Sequence, residues 1–190
     1  MFIQTEETPN PNTIKFLPGS DVIGSGAGSS LKEFCNAEEA ASNEFAKNLF
    51  SIDNVTRVFY GADFISVTKN DEADWDILKT KIMALIMDHM MAGLPFYEED
   101  TSQSDHAINE DDDEITVQIK ALLDERVRPA VAMDGGDILF DRFDDGIVYL
   151  HMRGACAGCP SSTMTLKSGI ENMLKHYIPE VLEVRPAQDY

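Results

Sequence analysis

The period of the apolar positions changes repeatedly along the chain, and each change marks an element. Thr13-Ile-Lys-Phe-Leu17 reads as a short strand entered from a turn at Pro9-Asn-Pro11. The stretch Ser20 to Ser30 is rich in Gly and Ser and reads as a loop. From Glu38 to Phe50, Ala41, Phe45 and Leu49 recur at helical spacing, with Asn36 as N-cap. Val55 to Tyr60 and Asp63 to Thr68 are β-rich runs joined at Gly61-Ala62, which predicts a hairpin. Asp74 to Met91 has the spacing of a helix with Ile77, Ile82, Leu85, Ile86 and Met90 turned inward, ending at Gly93 before Pro95. The first half is thus expected to run β-α-β-β-α.

The second half opens with a helix from Asp113 to Val127. Its acidic start and its Arg126 and Arg128 complement the two ends of the helix dipole, and Pro129 disturbs or ends it. Two adjacent glycines in Met133-Asp-Gly-Gly-Asp137 make a turn. Strands Ile138 to Phe143 and Ile147 to Met152 flank Asp144-Asp-Gly146, a strong hairpin signal. A helix from about Ser161 to Tyr177 follows, and Val181 to Val184 is a candidate last strand. The expected order is α-β-β-α, without a parallel crossover.

Charge separates the two halves. The chain has 190 residues and a formal net charge of −19, yet residues 98–114 alone hold nine acids and no base. About half of the excess charge therefore sits in one polar, aperiodic segment that repels itself and stays extended. The expected fold class is α+β: two small domains, each a small sheet packed with helices, joined by a flexible acidic linker. The expected boundaries are 1–97, a linker over 98–112, and 113–190. So acidic a chain is a poor partner for nucleic acid or an anionic membrane surface, which both select clustered Lys and Arg. No apolar run approaches the roughly 20 residues of a membrane helix. The N-terminal residues carry no signal core and no Arg-rich transit character, so the expectation is a soluble cytoplasmic protein, or a matrix protein already processed.

Three cysteines without a secretion signal do not make a disulfide framework. Two of them, Cys156 and Cys159, are three positions apart in a glycine-bracketed loop between a strand and a helix N-terminus. Gly154 and Gly158 leave room near the sulfurs. Pro160 suits the first helical position, and the positive end of the helix dipole favours thiolate. Three readings are open for this dithiol. A structural zinc site needs four ligands, and no second pair or suitably spaced histidine accompanies it; His151, five residues upstream, is the nearest candidate. A thiol–disulfide oxidoreductase would use the same pair after a strand. An iron–sulfur cluster usually takes four thiolates, so two chains would each supply two and hold the cluster loosely on an exposed loop.

Here the chain resembles a known family. Gly154-Ala-Cys-Ala-Gly-Cys-Pro-Ser-Ser-Thr-Met-Thr-Leu-Lys167, preceded by Arg128-Pro-Ala-Val-Ala-Met-Asp-Gly-Gly-Asp137, resembles the C-terminal domain of NifU and of the Nfu-type iron–sulfur scaffold proteins. Thr8-Pro-Asn-Pro-Asn-Thr-Ile-Lys-Phe16 resembles the N-terminal domain that accompanies it in the Nfu subgroup. The resemblance implies a [4Fe–4S] cluster bridging a homodimer through Cys156 and Cys159. It further implies upstream cluster donors and transfer to apo iron–sulfur clients of the aconitase and lipoyl-synthase kinds, so a carrier and not an enzyme. The runner-up remains a dithiol–disulfide oxidoreductase, and a zinc-stabilised interaction module is third.

Other residues read as structural. Asp134, Gly135, Gly136 and Asp137 suit a sharp helix-to-strand turn whose aspartates bond local backbone N–H groups. Arg153 and Lys167 read as solvated charge that could also steady an anionic cluster. Met133, Met152, Met164 and Met173 read as core filling. Cys35 lies outside the resemblance and reads as an ordinary thiol near a helix start.

Overall fold

The computed structural model describes residues 3–23, 31–97, 113–157 and 160–187, with the backbone alone for 160–163. The chain divides into two compact units, Met1–Ser104 and Asp105–Tyr190. The expected linker, 98–112, lies outside the described residues.

Unit 1 contains strands β1 (Gln4–Glu7), β2 (Thr13–Leu17), β3 (Lys32–Phe34), β4 (Val55–Tyr60) and β5 (Ile65–Lys69), and helices α1 (Glu44–Phe50) and α2 (Trp75–Met91). The strands form one antiparallel sheet in the order β1-β2-β5-β4-β3. The expected β-α-β-β-α order thus lacked both edge strands. Polar Gln4-Thr-Glu-Glu7 and three-residue Lys32-Glu-Phe34 carry no apolar alternation, which is how natural sheets blunt their edges. Phe16, Phe34, Phe45, Leu49, Tyr60 and Ile82 fill the core.

The helix expected over 38–50 is broken in two. A 3₁₀ turn over Glu39–Ser42 precedes α1, and Asn43 lies between them in extended backbone. Asn36, expected as N-cap, accepts the Glu39 N–H through Oδ1, but the N-cap position of the 3₁₀ turn is Glu38. Asn43 caps α1 itself, accepting the Ala46 N–H at 2.8 Å. In α2, Asp74 is the N-cap, and Leu78, Ile82 and Ile86 are buried. Ile77, expected inside, is 63% exposed.

The Thr8–Thr13 turn divides its polar groups between its own backbone and neighbouring elements. Thr8 Oγ1 donates to the Asn10 and Thr13 carbonyls, and Asn10 Oδ1 accepts the Asn12 N–H. Lys69 Nζ donates to Asn12 Oδ1, and the Trp75 indole N–H donates to the Pro11 carbonyl. This motif is a brace between β2, β5 and α2.

Unit 2 contains helix α3 (Glu114–Leu122), a π-helical turn over Leu123–Val127, α4 (Arg128–Met133), strands β6 (Gly136–Asp144) and β7 (Ile147–Gly154), α5 (Pro160–Tyr177) and β8 (Glu183–Pro186). Pro129 does not end the helical run. It sits in the first turn of α4, where a missing N–H is tolerated because the wide π turn has already displaced the backbone ladder. Asp145 and Gly146, with φ of 47° and 81°, make the two-residue β6–β7 turn. Strand β8 pairs with β7 in parallel, so β7-α5-β8 is a crossover unit, contrary to the expectation of none. The candidate strand over 181–184 is present two residues later, at Glu183–Pro186, and its parallel pairing is a non-local feature that a four-residue, partly polar segment does not signal.

Ile119, Leu123, Ile138, Val148, Leu150 and Leu174 form the second core. Met152 and Met173 pack against it as expected. Met133 and Met164 do not; they are 76% and 72% exposed.

Candidate functional site

The site is built where β7 runs out. Gly154 adopts φ of 60°, turning the chain over the start of β6. The turn is closed by Cys156 N–H donating to the Arg153 carbonyl (3.3 Å) and Ala157 N–H to the Gly154 carbonyl (3.1 Å). Ala155 N–H donates to the Gly135 carbonyl at 3.1 Å, tying this loop to the double-glycine turn.

Cys156 is buried, at 5% exposure, so it is not on an open loop as the spacing suggested. Its sulfur lies against Gly136, where a Cβ would overlap Sγ and stand 2.8 Å from the Arg153 carbonyl oxygen. Gly136, the first residue of β6, is therefore required by packing, while the left-handed turn falls on Gly135 at φ 79°. Cys159 and Gly158 lie outside the described residues. Helix α5, 18 residues long, begins at Pro160, so its positive end faces the segment that carries the thiols.

Beneath the loop is an ion-pair relay that the sequence reading missed. Asp137 is 1% exposed, and its two oxygens accept from Arg128 Nε at 2.8 Å and Nη2 at 3.1 Å. Arg128 Nη1 also donates to Asp124 at 3.1 Å. Burial pulls the Arg128 guanidinium down, but the hydrogen bonds and charges of Asp137 and Asp124 outweigh it and hold it above its ordinary value. Asp137 thus takes a guanidinium from nine residues upstream, and Arg128 does more than complement a helix end. The available signal was a strand-start Asp in an otherwise apolar run, which needs a cation if buried.

His151 Nε2 is 3.4 Å from Asp141 Oδ1, which gives it a carboxylate partner on β6. Lys167 Nζ is 3.5 Å from Glu183 Oε1, linking α5 to β8. Arg126 stacks over Tyr177 at 5.1 Å. Cys35 is exposed, and its N–H donates to Glu39 Oε2. Among the described residues no three His, Cys, Asp or Glu side chains converge as a metal site. The described donor set offers one soft thiol, Cys156, in a niche floored by Gly136.

Unit 1 has a cleft of about 300 Å³ lined by Phe45, His89, Leu94 and Phe96 among others. Two of its polar groups serve the fold: His89 lies 3.0 Å from the Pro95 carbonyl, and Asn43 donates to the Phe96 carbonyl.

Two α+β units, one with a cysteine loop on a double-glycine turn, define the class. A NifU-like domain model matches residues 119–185, and the model of the scaffold protein Nfu/NifU N-terminal domain matches residues 3–93. The chain belongs to the Nfu-type, NifU-like family. It is 48% identical over 189 residues to the "NFU1 iron-sulfur cluster scaffold homolog, mitochondrial" of Drosophila ananassae, with all of this chain and 65% of that protein covered. It is 51% identical over 193 residues to "NifU-like protein 5, mitochondrial" of Arabidopsis thaliana, covering all of this chain and 69% of that one. The chain thus spans about two thirds of the length of these relatives. A solution structure of a NifU-like protein from Saccharomyces cerevisiae aligns with 53% of this chain and 87% of its own, at 24% identity and a TM-score of 0.47. No helix among the described residues is long and apolar enough to cross a membrane.

Proposed function

We propose that this chain is an iron–sulfur cluster scaffold and carrier. Cys156 and Cys159 of two copies hold one [4Fe–4S] cluster between them and pass it to apo-proteins. The observation that carries the reading is the seat of Cys156: a thiol held on Gly136, four residues ahead of an 18-residue helix. The names of the relatives, which are iron–sulfur scaffold and NifU-like proteins, support the same assignment. A shared, incomplete site suits a cargo that must leave, so the chain acts as a carrier and not as an enzyme. Its partners are then cluster donors and apo clients. The compartment that goes with this reading is the mitochondrion named for the relatives, in place of the cytoplasm suggested by the N-terminal composition.

One observation favours a second reading. The β7-α5-β8 crossover sets the cysteine pair after a parallel strand and before a helix, the setting of dithiol oxidoreductases. Anaerobic reconstitution with iron and sulfide separates the two. The carrier reading expects one cubane per two chains by iron counting and Mössbauer spectroscopy, lost in Cys156→Ser and in Cys159→Ser, and activation of an apo-enzyme by the loaded protein. A colourless protein that reduces disulfides would overturn it in favour of the second reading.

A further inference from the structure

Helix α2 is apolar on two opposite faces. Leu78, Ile82 and Ile86 enter the core, while Ile77, Ala84, Met87 and Met91 form a stripe on the far side. Ile77, Met87 and Met91 are 63%, 38% and 80% exposed. The two apolar faces are separated by polar flanks that include Lys81 and Asp88, and an exposed apolar stripe of this kind marks a contact surface. With Thr80, which is also exposed, the stripe has the 3-4-3-4 spacing of a coiled-coil seam, over about 21 Å of helix.

The composition of the seam says what would cover it. Its first half is small at Thr80 and Ala84, and its second half is large at Met87 and Met91. A second α2 laid antiparallel puts Met87 of the other copy against Ala84, and Met91 of the other copy against Thr80. Each layer then joins one small and one large side chain. A parallel pair would set Ala84 on Ala84 and Met on Met, leaving a gap beside a crowded layer. Exposed Lys81 and Asp88 flank the same side of the seam, seven residues apart. The antiparallel arrangement brings each Lys81 to Asp88 of the other copy, twice, by symmetry.

We propose that the outer face of α2 is a self-association surface. It binds the α2 of a second copy of this chain, antiparallel, through the Thr80/Ala84 to Met87/Met91 layers and two Lys81–Asp88 pairs. The contact needs no cluster and no cysteine. It is a second link between copies, independent of the proposed cluster bridge, and one helix pair makes it weak and concentration-dependent.

The test uses the full chain carrying Cys156→Ser and Cys159→Ser, so that no cluster can bridge the copies. Sedimentation equilibrium over roughly 10–500 μM should show a reversible dimer, the range expected of a small interface. Lys81→Glu alone and Asp88→Lys alone each turn two attractive pairs into like-charge contacts and should weaken the dimer about tenfold. The combined Lys81→Glu, Asp88→Lys protein restores opposite charges and should return to within about threefold of the parent. Both side chains are exposed, and circular dichroism confirms that each variant is folded. A monomer at every concentration overturns the proposal, as does a dimer indifferent to both single reversals. Sensitivity to Lys81→Glu without sensitivity to Asp88→Lys, or failure of the double variant to recover, overturns the antiparallel pairing. None of these outcomes bears on cluster loading, which is read separately in the chain with its cysteines intact.

Discussion

The space that Gly136 leaves empty is the space that the sulfur of Cys156 occupies. A Cβ at position 136 would overlap Sγ, and would stand 2.8 Å from the Arg153 carbonyl oxygen and 3.0 Å from the Cys156 nitrogen. Two of those three obstacles are backbone and cannot rotate away. Gly136→Ala should therefore cost about 1–3 kcal/mol of stability by overpacking. It should also displace the thiol, so that cluster loading after anaerobic reconstitution falls by more than the unfolded fraction explains. Iron content per folded chain, against a chemical denaturation curve, checks this; normal loading would show that Cys156 does not use this seat.

Asp137 and Arg128 hold the other side of the same turn. Asp137 is buried and Arg128 is its bidentate partner, so removing either leaves an uncompensated charge or strands polar groups. Arg128→Gln should destabilise unit 2 by about 2–4 kcal/mol. Asp137→Asn should cost less, because the amide keeps one acceptor and Arg128 keeps Asp124. The combined variant should be milder than the sum of the two, by a coupling of about 1–3 kcal/mol. Urea denaturation of the four proteins measures this, and strict additivity would mean that the pair does not act as a unit.

The hairpins and the two long helices were legible because their signals are local. Asp145-Gly146 and Gly61-Ala62 punctuate β-rich runs, and Asp74 and the apolar repeat mark α2. What escaped the sequence is non-local or lacks an apolar pattern. Strands β1 and β3 are polar or short edges, and their pairing is set by β2 and β4. The Arg128–Asp137 pair joins residues nine apart across a helix-to-strand turn. Residue type alone put all four methionines of unit 2 in the core, although Met133 and Met164 are at the surface. The same limit applies to Cys156: spacing and glycines marked it as chemical, but only the packing against Gly136 shows that it is buried.

Asn43 joins three parts of unit 1. Its side-chain oxygen accepts from Ala46 N–H at 2.8 Å and from the Tyr60 hydroxyl at 3.1 Å, and its amide donates to the Phe96 carbonyl at 2.8 Å. Tyr60 is fully buried, and burial holds its hydroxyl well above the usual phenol range. Asn43→Ala removes a helix cap and strands a buried hydroxyl, so it should cost about 2–3 kcal/mol. Asn43→Asp keeps the two accepted bonds but turns an acceptor oxygen toward the Phe96 carbonyl in place of the donor, and should still cost less than Asn43→Ala. Equal losses for the two variants in thermal or urea unfolding would show that the cap and the Tyr60 bond are not what holds this junction.

Glu171 fastens the last strand to α5 and does so by charge. Its carboxylate accepts from Lys175 Nζ at 2.6 Å and from the Val184 N–H at 3.0 Å. The Lys175 hydrogen bond, then the Val184 N–H, hold the Glu171 carboxyl below the usual carboxylate range. A carboxyl whose folded value is lowered binds its proton more readily in the unfolded chain. Its contribution is therefore complete above the unfolded value and is lost as the pH falls through the folded one. Glu171→Gln removes the charge while keeping an acceptor for Val184. The stability gap between the parent and Glu171→Gln should stay constant from neutrality down to about pH 5, then narrow toward about pH 3. Urea denaturation at pH 7, 5, 4 and 3 measures it, and a gap that is unchanged at pH 3 would assign the effect to shape and not to charge. Because β8 closes the crossover that follows the cysteine loop, the loss should appear first as faster hydrogen exchange at Val184, with the β6–β7 hairpin still protected.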